Sequence, residues 1–154
     1  MPDYRISAYR VPRAGSNALQ VLNSYVEASR IEARLRGLVG LRVSQLTVCP
    51  EGTELYSQLA LEAGASSKDI RDLVIWRRSS RFDEREMAVF AWTDVVTQAS
   101  NGFTTDAVLE HVRKYLSDEE LFDLTLVIAT AKMFCELALA VRFPEELKFA
   151  GSVN

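Results

Sequence analysis

Residues 35–64, LRGLVGLRVSQLTVCPEGTELYSQLALEAG, form a helical pattern interrupted at Val48-Cys49-Pro50 and resumed at once. Proline disfavours the α region for the residue before it and is tolerated at the first position of a new helix, so one helix must end near Thr47 and another begin at Pro50, with Cys49 as its cap. A thiol at that position faces the positive end of a helix dipole, a common setting for a reactive cysteine.

The patterning on either side is helical throughout. Ser16 is positioned to cap a first helix with Leu19, Leu22, Tyr25 and Val26 on one face, ending near Ser29. From Glu32 to Thr47, Leu35, Leu38, Val39, Val43 and Leu46 fall on one stripe, with Arg34, Arg36 and Arg42 off it. Gly37 and Gly40 inside that helix cost about 1 kcal/mol each relative to alanine, so something other than propensity must hold it. The helix from Pro50 buries Leu55, Leu59 and Ala60 and stops before Gly64.

Three capping boxes follow, Ser66/Asp69, Asp83/Glu86 and Ser117/Glu120, the second and third flanked by the staples Phe82/Met87 and Leu116/Leu121. They predict one helix through Ile70, Leu73, Val74 and Trp76, another carrying Val89, Phe90, Trp92, Val95 and Val96, and a long final helix to about Arg142. A short helix capped by Thr104 or Thr105 runs to Tyr115. Leu124–Val141 is long and apolar enough to suggest a membrane span, but Lys132 and Glu136 near its middle favour the buried central helix of an all-α domain.

With 154 residues, the chain is expected to fold as a single domain over 1–154, burying roughly 68–70% of its unfolded surface, with 1–15 as an N-terminal arm. The net charge of −3 and the scattered basic residues offer no case for nucleic acid, and no membrane partner is expected. Two cysteines, no apolar leader among the first 15 residues and no Gly-rich phosphate loop point to a reducing, cytoplasmic setting without a disulfide framework. One histidine and two distant cysteines supply no metal-ligand spacing, so neither metal nor cofactor is expected.

The segments LRGLVGLRVSQLTVC with the following LxxEAG, the spacing W-x(5)-F-x(3)-E-x(5)-W from Trp76 through Phe82 and Glu86 to Trp92, and the SDEEL start of the last helix resemble the carboxymuconolactone decarboxylase and alkylhydroperoxidase D-like (AhpD-like) family from about Tyr4 to Phe143. The resemblance implies an AhpD-like bundle of about seven helices and a homo-oligomer, trimer or hexamer. It also implies, in peroxidase-competent members, a Glu-x(11)-Cys-x(2)-Cys-x(3)-His proton relay. Cys49 matches the first cysteine. The second, peroxide-attacking cysteine falls on Gly52, the histidine on Tyr56 and the glutamate on Gly37. Asp94 stands where the family usually carries a glutamate.

A peroxidatic thiol must lose its proton near neutral pH. Glu51 and Glu54 beside Cys49 oppose that, and Tyr56, with an ordinary pKa near 10, cannot replace a histidine base. Cys135, between Phe134 and Glu136, reads as core, and His111 as surface. The expectation is therefore a small-molecule-binding or structural oligomer with a pocket around Cys49, Gly37, Gly52, Tyr56, Glu51 and Asp94. The alternatives are a peroxidase using Cys49 with an external reductant, or a lactone-type decarboxylase drawing its proton from Asp94, Glu51, Glu54 or Tyr56.

Overall fold

The computed structural model describes residues 11–99 and 106–142. These form α1 (Arg13–Glu27), α2 (Ala33–Leu46), α3 (Pro50–Glu62), α4 (Ser67–Asp72), a 3₁₀ helix (Leu73–Arg78), α5 (Glu84–Thr97), α6 (Asp106–Val112) and α7 (Asp118–Val141), with no strand among the described residues. The fold is all-α, as expected.

The three capping boxes form as the sequence predicts, at Ser66/Asp69, Asp83/Glu86 and Ser117/Glu120. Each acidic member also takes a guanidinium from another element. Asp69 pairs with Arg81 at 2.7 Å and Arg34 at 3.3 Å, Glu86 pairs with Arg34, and Glu120 lies 3.4 Å from Arg85. The carboxylates that start α4 and α5 thereby fasten both helices to α2. Burial alone would raise the Asp69 pKa, but the Ser66 backbone N–H, then Arg81 and Arg34, outweigh it and hold the carboxyl at about 2.

The helix at the centre is α2, not the final helix. Leu35, Leu38, Val39, Leu41, Val43 and Ser44 are all buried, as are Gly37 and Gly40, because α3, α5, α7 and the 3₁₀ helix surround it. By length and composition α7 also qualifies as a membrane span, but it packs Leu124, Ile128, Ala131, Phe134 and Cys135 inward. Its other side is uncovered, with Phe122 62% and Leu139 44% exposed. Lys132 does not pair with Glu136; its ammonium donates to the Thr97 carbonyl at 3.2 Å.

Three local expectations are corrected. First, α1 begins at Arg13 behind Pro12, so Ser16 lies inside the first turn, its N–H bonded to the Pro12 carbonyl at 3.0 Å. Residues 13–15 of the expected arm are therefore helical, while 1–10 lie outside the described residues. Second, the helix from Ser67 does not run unbroken through Trp76. It tightens after Asp72 into a 3₁₀ helix, where positions three apart eclipse, and this turns both Leu73 and Trp76 inward while leaving Val74 exposed. Third, Leu55 and Leu59 are only half-buried. The capping threonines 104 and 105 lie outside the described residues. Trp76, Phe82, Phe90 and Trp92 are core as expected, with the Trp76/Phe90 and Phe82/Phe90 ring centres 6.0 and 5.0 Å apart.

Candidate functional site

The break between α2 and α3 is a Schellman turn. The Cys49 N–H reaches back to the Ser44 carbonyl at 2.9 Å and the Val48 N–H to Gln45 at 3.4 Å, which places Val48 at the left-handed position with φ 52°. Glycine normally stands there, as Gly64 (φ 101°) does at the end of α3. A β-branched residue in that region is strained. The turn leaves Val48 79% exposed and drives Cys49 inward to 1% exposure.

Cys49 caps α3 as the sequence predicts, its Sγ accepting the Gly52 N–H at 3.3 Å. That donor favours the thiolate, but it is outweighed. Burial, foremost, and then Cys135 and the Glu51 carboxylate push the thiol up to about 12. Glu51 Oε2 lies 3.9 Å from Sγ on the exposed first turn of α3.

Along their shared face α2 and α3 approach through three facing pairs. A Cβ on Gly37 would stand 2.6 Å from Ala60 Cα and 2.7 Å from its backbone nitrogen; one on Gly40 would overlap the Tyr56 ring; one on Gly52 would overlap Ser44 Oγ and stand 2.9 Å from Cys135 Sγ. Glycine at 37 and 40 is thus required by close approach, which is what holds this helix despite its low propensity. The Tyr56 ring lies over Gly40 and meets Phe134 edge-on, ring centres 6.1 Å apart. Burial, then the neighbouring thiols Cys135 and Cys49, raise its phenol above the ordinary value, which keeps the proton on it.

Cys135 is buried, but it is more than packing. It comes from α7 into the same small cluster as Cys49, with Ser44 Oγ 3.6 Å from its sulfur and Phe134, Ala138, Leu55 and Tyr56 completing the cluster. Sequence reasoning missed Cys135 and Ser44. The trace that marks them is the run Gly37, Gly40, Ser44 at helical spacing on α2, facing Ala60, Tyr56 and Gly52 on α3.

Two hollows flank this cluster. One of about 470 Å³ opens at the break, lined by Ser44, Gln45, Val48, Cys49, Pro50 and Thr53 among others. The other, about 140 Å³, lies between α1, α2, α3 and α7, bounded by Val26, Arg36, Gly37, Tyr56, Leu59, Val127 and Thr130, with Asn23 and Glu27 at the edge. Arg36 donates to the Ile31 carbonyl at 2.5 Å, and among the described residues no carboxylate pairs with it; burial lowers its pKa, opposed by the charges of Glu27 and Glu32.

Asp94 lines neither hollow. It is buried on α5 under Arg42 (2.6 and 3.0 Å) and Arg77 (3.1 Å), with Trp76 Nε1 at 3.4 Å, so it ties α5 to α2 and to the 3₁₀ helix. Of the residues expected at the pocket, the structure brings Gly52, Tyr56 and Glu51 to Cys49, places Gly37 and Tyr56 on the inner cavity, and sets Asp94 apart. His111 is exposed on α6 beside Tyr115, ring centres 5.5 Å apart. Among the described residues no three His, Cys, Asp or Glu side chains cluster as metal ligands.

The profile of the carboxymuconolactone decarboxylase family matches residues 12–95, from α1 through most of α5. The uncharacterised protein YdfG of Bacillus subtilis (strain 168) is 23% identical over 137 residues, 89% of this chain and 93% of its own length. A crystal structure from Agrobacterium tumefaciens, of a protein of unknown function provisionally called the antioxidant defence protein AhpD, superposes with a TM-score of 0.83 at 28% identity, over 92% of this chain and 97% of that one. A crystal structure of an uncharacterised peroxidase-related protein from Silicibacter sp. TM1040 superposes with a TM-score of 0.77 over 89% of this chain and 73% of that one; at 18% identity it speaks for the fold alone.

Proposed function

This chain belongs to the carboxymuconolactone decarboxylase family, and from that premise we propose that it is a non-peroxidatic AhpD-like member that binds a small molecule and works as a homo-oligomer in the cytoplasm. The observation that carries the reading is the α2–α3 seam. The positions on which the family's relay glutamate and second cysteine fall, Gly37 and Gly52, have no room for a side chain, being filled by the Ala60 backbone and by Ser44 and Cys135. The remaining thiol, pushed up to about 12, is protonated at neutral pH and is therefore a poor nucleophile toward hydroperoxides.

The inner cavity supplies the binding space. At about 140 Å³ it suits a molecule near benzene in size. Its walls are mostly apolar, and the guanidinium of Arg36, which among the described residues donates to one backbone carbonyl, favours a ligand with a single carboxylate or carbonyl group. The uncovered side of α7, with Phe122 and Leu139, supports assembly with further copies.

The test has three arms. Titration calorimetry with benzoate-sized monocarboxylates should show binding that weakens in Arg36→Gln; no binding by any of them would remove the ligand reading. At pH 7, turnover of a hydroperoxide with dithiothreitol should stay at the uncatalysed background in wild type as in Cys49→Ser, and a Cys49-dependent steady-state rate well above that background would establish the antioxidant peroxidase reading that the name of the Agrobacterium relative suggests. Light scattering should give a trimer or hexamer, and a stable monomer at micromolar concentration would overturn the assembly. A decarboxylase is less well supported, since Asp94 is committed to Arg42 and Arg77 and Tyr56 holds its proton.

A further inference from the structure

We propose that Cys49 and Cys135 are a dithiol redox site that closes, once per oxidation, into a disulfide joining the α2–α3 break to α7. The inference goes beyond ligand binding and does not depend on it.

The two sulfurs are free, buried in one side-chain cluster and both set against Gly52, whose N–H lies 3.3 Å from Cys49 Sγ. The room for Cys135 is made by Gly52: a Cβ there would stand 2.9 Å from Cys135 Sγ, so the sulfur from α7 occupies the place of a side chain one helical turn beyond Cys49. Ser44 keeps it there. That hydroxyl donates to the Gly40 carbonyl at 2.8 Å, which leaves its oxygen 3.6 Å from Cys135 Sγ as an acceptor for the thiol.

The two thiols are not equivalent. Cys49 lines the outer hollow and carries a backbone donor, the Gly52 N–H, on its sulfur; Cys135 lines neither hollow. An oxidant that enters when the turn at the break opens therefore meets Cys49, with Cys135 behind it.

With a hydroperoxide as oxidant, the Cys49 proton leaves, with the Glu51 carboxylate 3.9 Å away as acceptor, and the thiolate attacks the terminal peroxide oxygen. The O–O bond breaks, the alcohol departs with a proton, and Cys49 becomes a sulfenic acid. Cys135 sulfur then attacks the Cys49 sulfur, the S–S bond forms, and hydroxide leaves with the Cys135 proton as water. The pair loses two electrons and the hydroperoxide becomes alcohol and water. An external dithiol reverses the step by exchange. Because the Cys49 proton is held at neutral pH, the oxidation is slow and stoichiometric rather than a turnover reaction, and its rate should rise about tenfold per pH unit while the thiol stays mainly protonated.

The full-length protein treated with hydrogen peroxide at pH 9, quenched in acid, alkylated and mapped by non-reducing mass spectrometry should yield one linked peptide joining Cys49 to Cys135. Both thiols should be lost together, at a rate independent of protein concentration, and dithiothreitol should restore both. Cys135→Ser should leave Cys49 as a sulfenic acid captured by dimedone, an adduct scarce in wild type, and Gly52→Ala should lower the yield of linked peptide. The proposal is overturned if Cys49 oxidises to sulfinic acid while Cys135 still alkylates, if the link forms between chains, or if both thiols survive excess peroxide. These outcomes are read on the wild-type chain and do not require either variant to fold.

Discussion

Replacing Gly37 with alanine adds one methyl group at the tightest point of the α2–α3 seam. The new Cβ would stand 2.6 Å from Ala60 Cα, and ordinary contact begins near 3.4 Å, so α3 must retreat by about 0.8 Å. The obstacle is backbone, which cannot rotate aside as the end of a side chain would. Overpacking of this kind costs roughly 1–3 kcal/mol, and the upper part of that range applies here. Alanine returns about 1 kcal/mol through helix propensity, leaving a net destabilisation of about 1–2 kcal/mol. For a chain of this size that lowers Tm by about 2–8 °C. Urea melts followed by far-UV circular dichroism measure the change, with Gly15→Ala as the matched control, since nothing lies within 4 Å of its Cβ and only the propensity gain operates there. A Gly37→Ala variant as stable as wild type, or more stable, would refute the claim that close approach selects glycine, and with it the argument that no glutamate fits at this position.

Val48→Gly should stabilise the fold by a few tenths to about 1 kcal/mol, because it relieves a left-handed β-branched residue whose side chain packs on little; an unchanged or lower urea midpoint would count against strain at the break. Asp94→Asn leaves Arg42 buried without its carboxylate and should cost roughly 3 kcal/mol or more in the same assay, whereas Asp94 in a catalytic role would alter activity with little change in stability. The Asp69 carboxyl lies at about 2 in the folded chain and near 3.9 unfolded, so the stability it lends is complete above about pH 4 and is lost as the pH falls toward 2. Asp69→Asn should flatten that part of the pH–stability curve, and an equally steep acid limb in the variant would assign the loss to other carboxylates.

How much of this was legible in the sequence follows from the range of each interaction. Ser66/Asp69, Asp83/Glu86 and Ser117/Glu120 satisfy their helices within four residues, so the starts of α4, α5 and α7 could be read directly, as could the Cys49 cap forced by Pro50. The centre of the bundle could not. Hydrophobicity favours α7, but burial follows the number of neighbours, and in α2 Gly37, Gly40 and Ser44 are buried because they let α3 come close. Nor does spacing along the chain disclose that Cys135 joins the cluster around Cys49, or that the carboxylate of Asp94 is claimed by Arg42 and Arg77 rather than by a pocket. Both are products of tertiary packing. The 3₁₀ segment after Asp72 escaped notice for a related reason: the demand to bury both Leu73 and Trp76 overrode a pattern compatible with a regular helix.

The valine at the left-handed corner also bears on timing. Two backbone hydrogen bonds, Cys49 to Ser44 and Val48 to Gln45, hold the corner shut against its strain, and they are what must open before solvent reaches the buried sulfur. Amide hydrogen exchange at these two positions and covalent labelling of Cys49 should then report one shared opening event, and labelling faster than exchange would show the sulfur to be reached through the outer hollow instead.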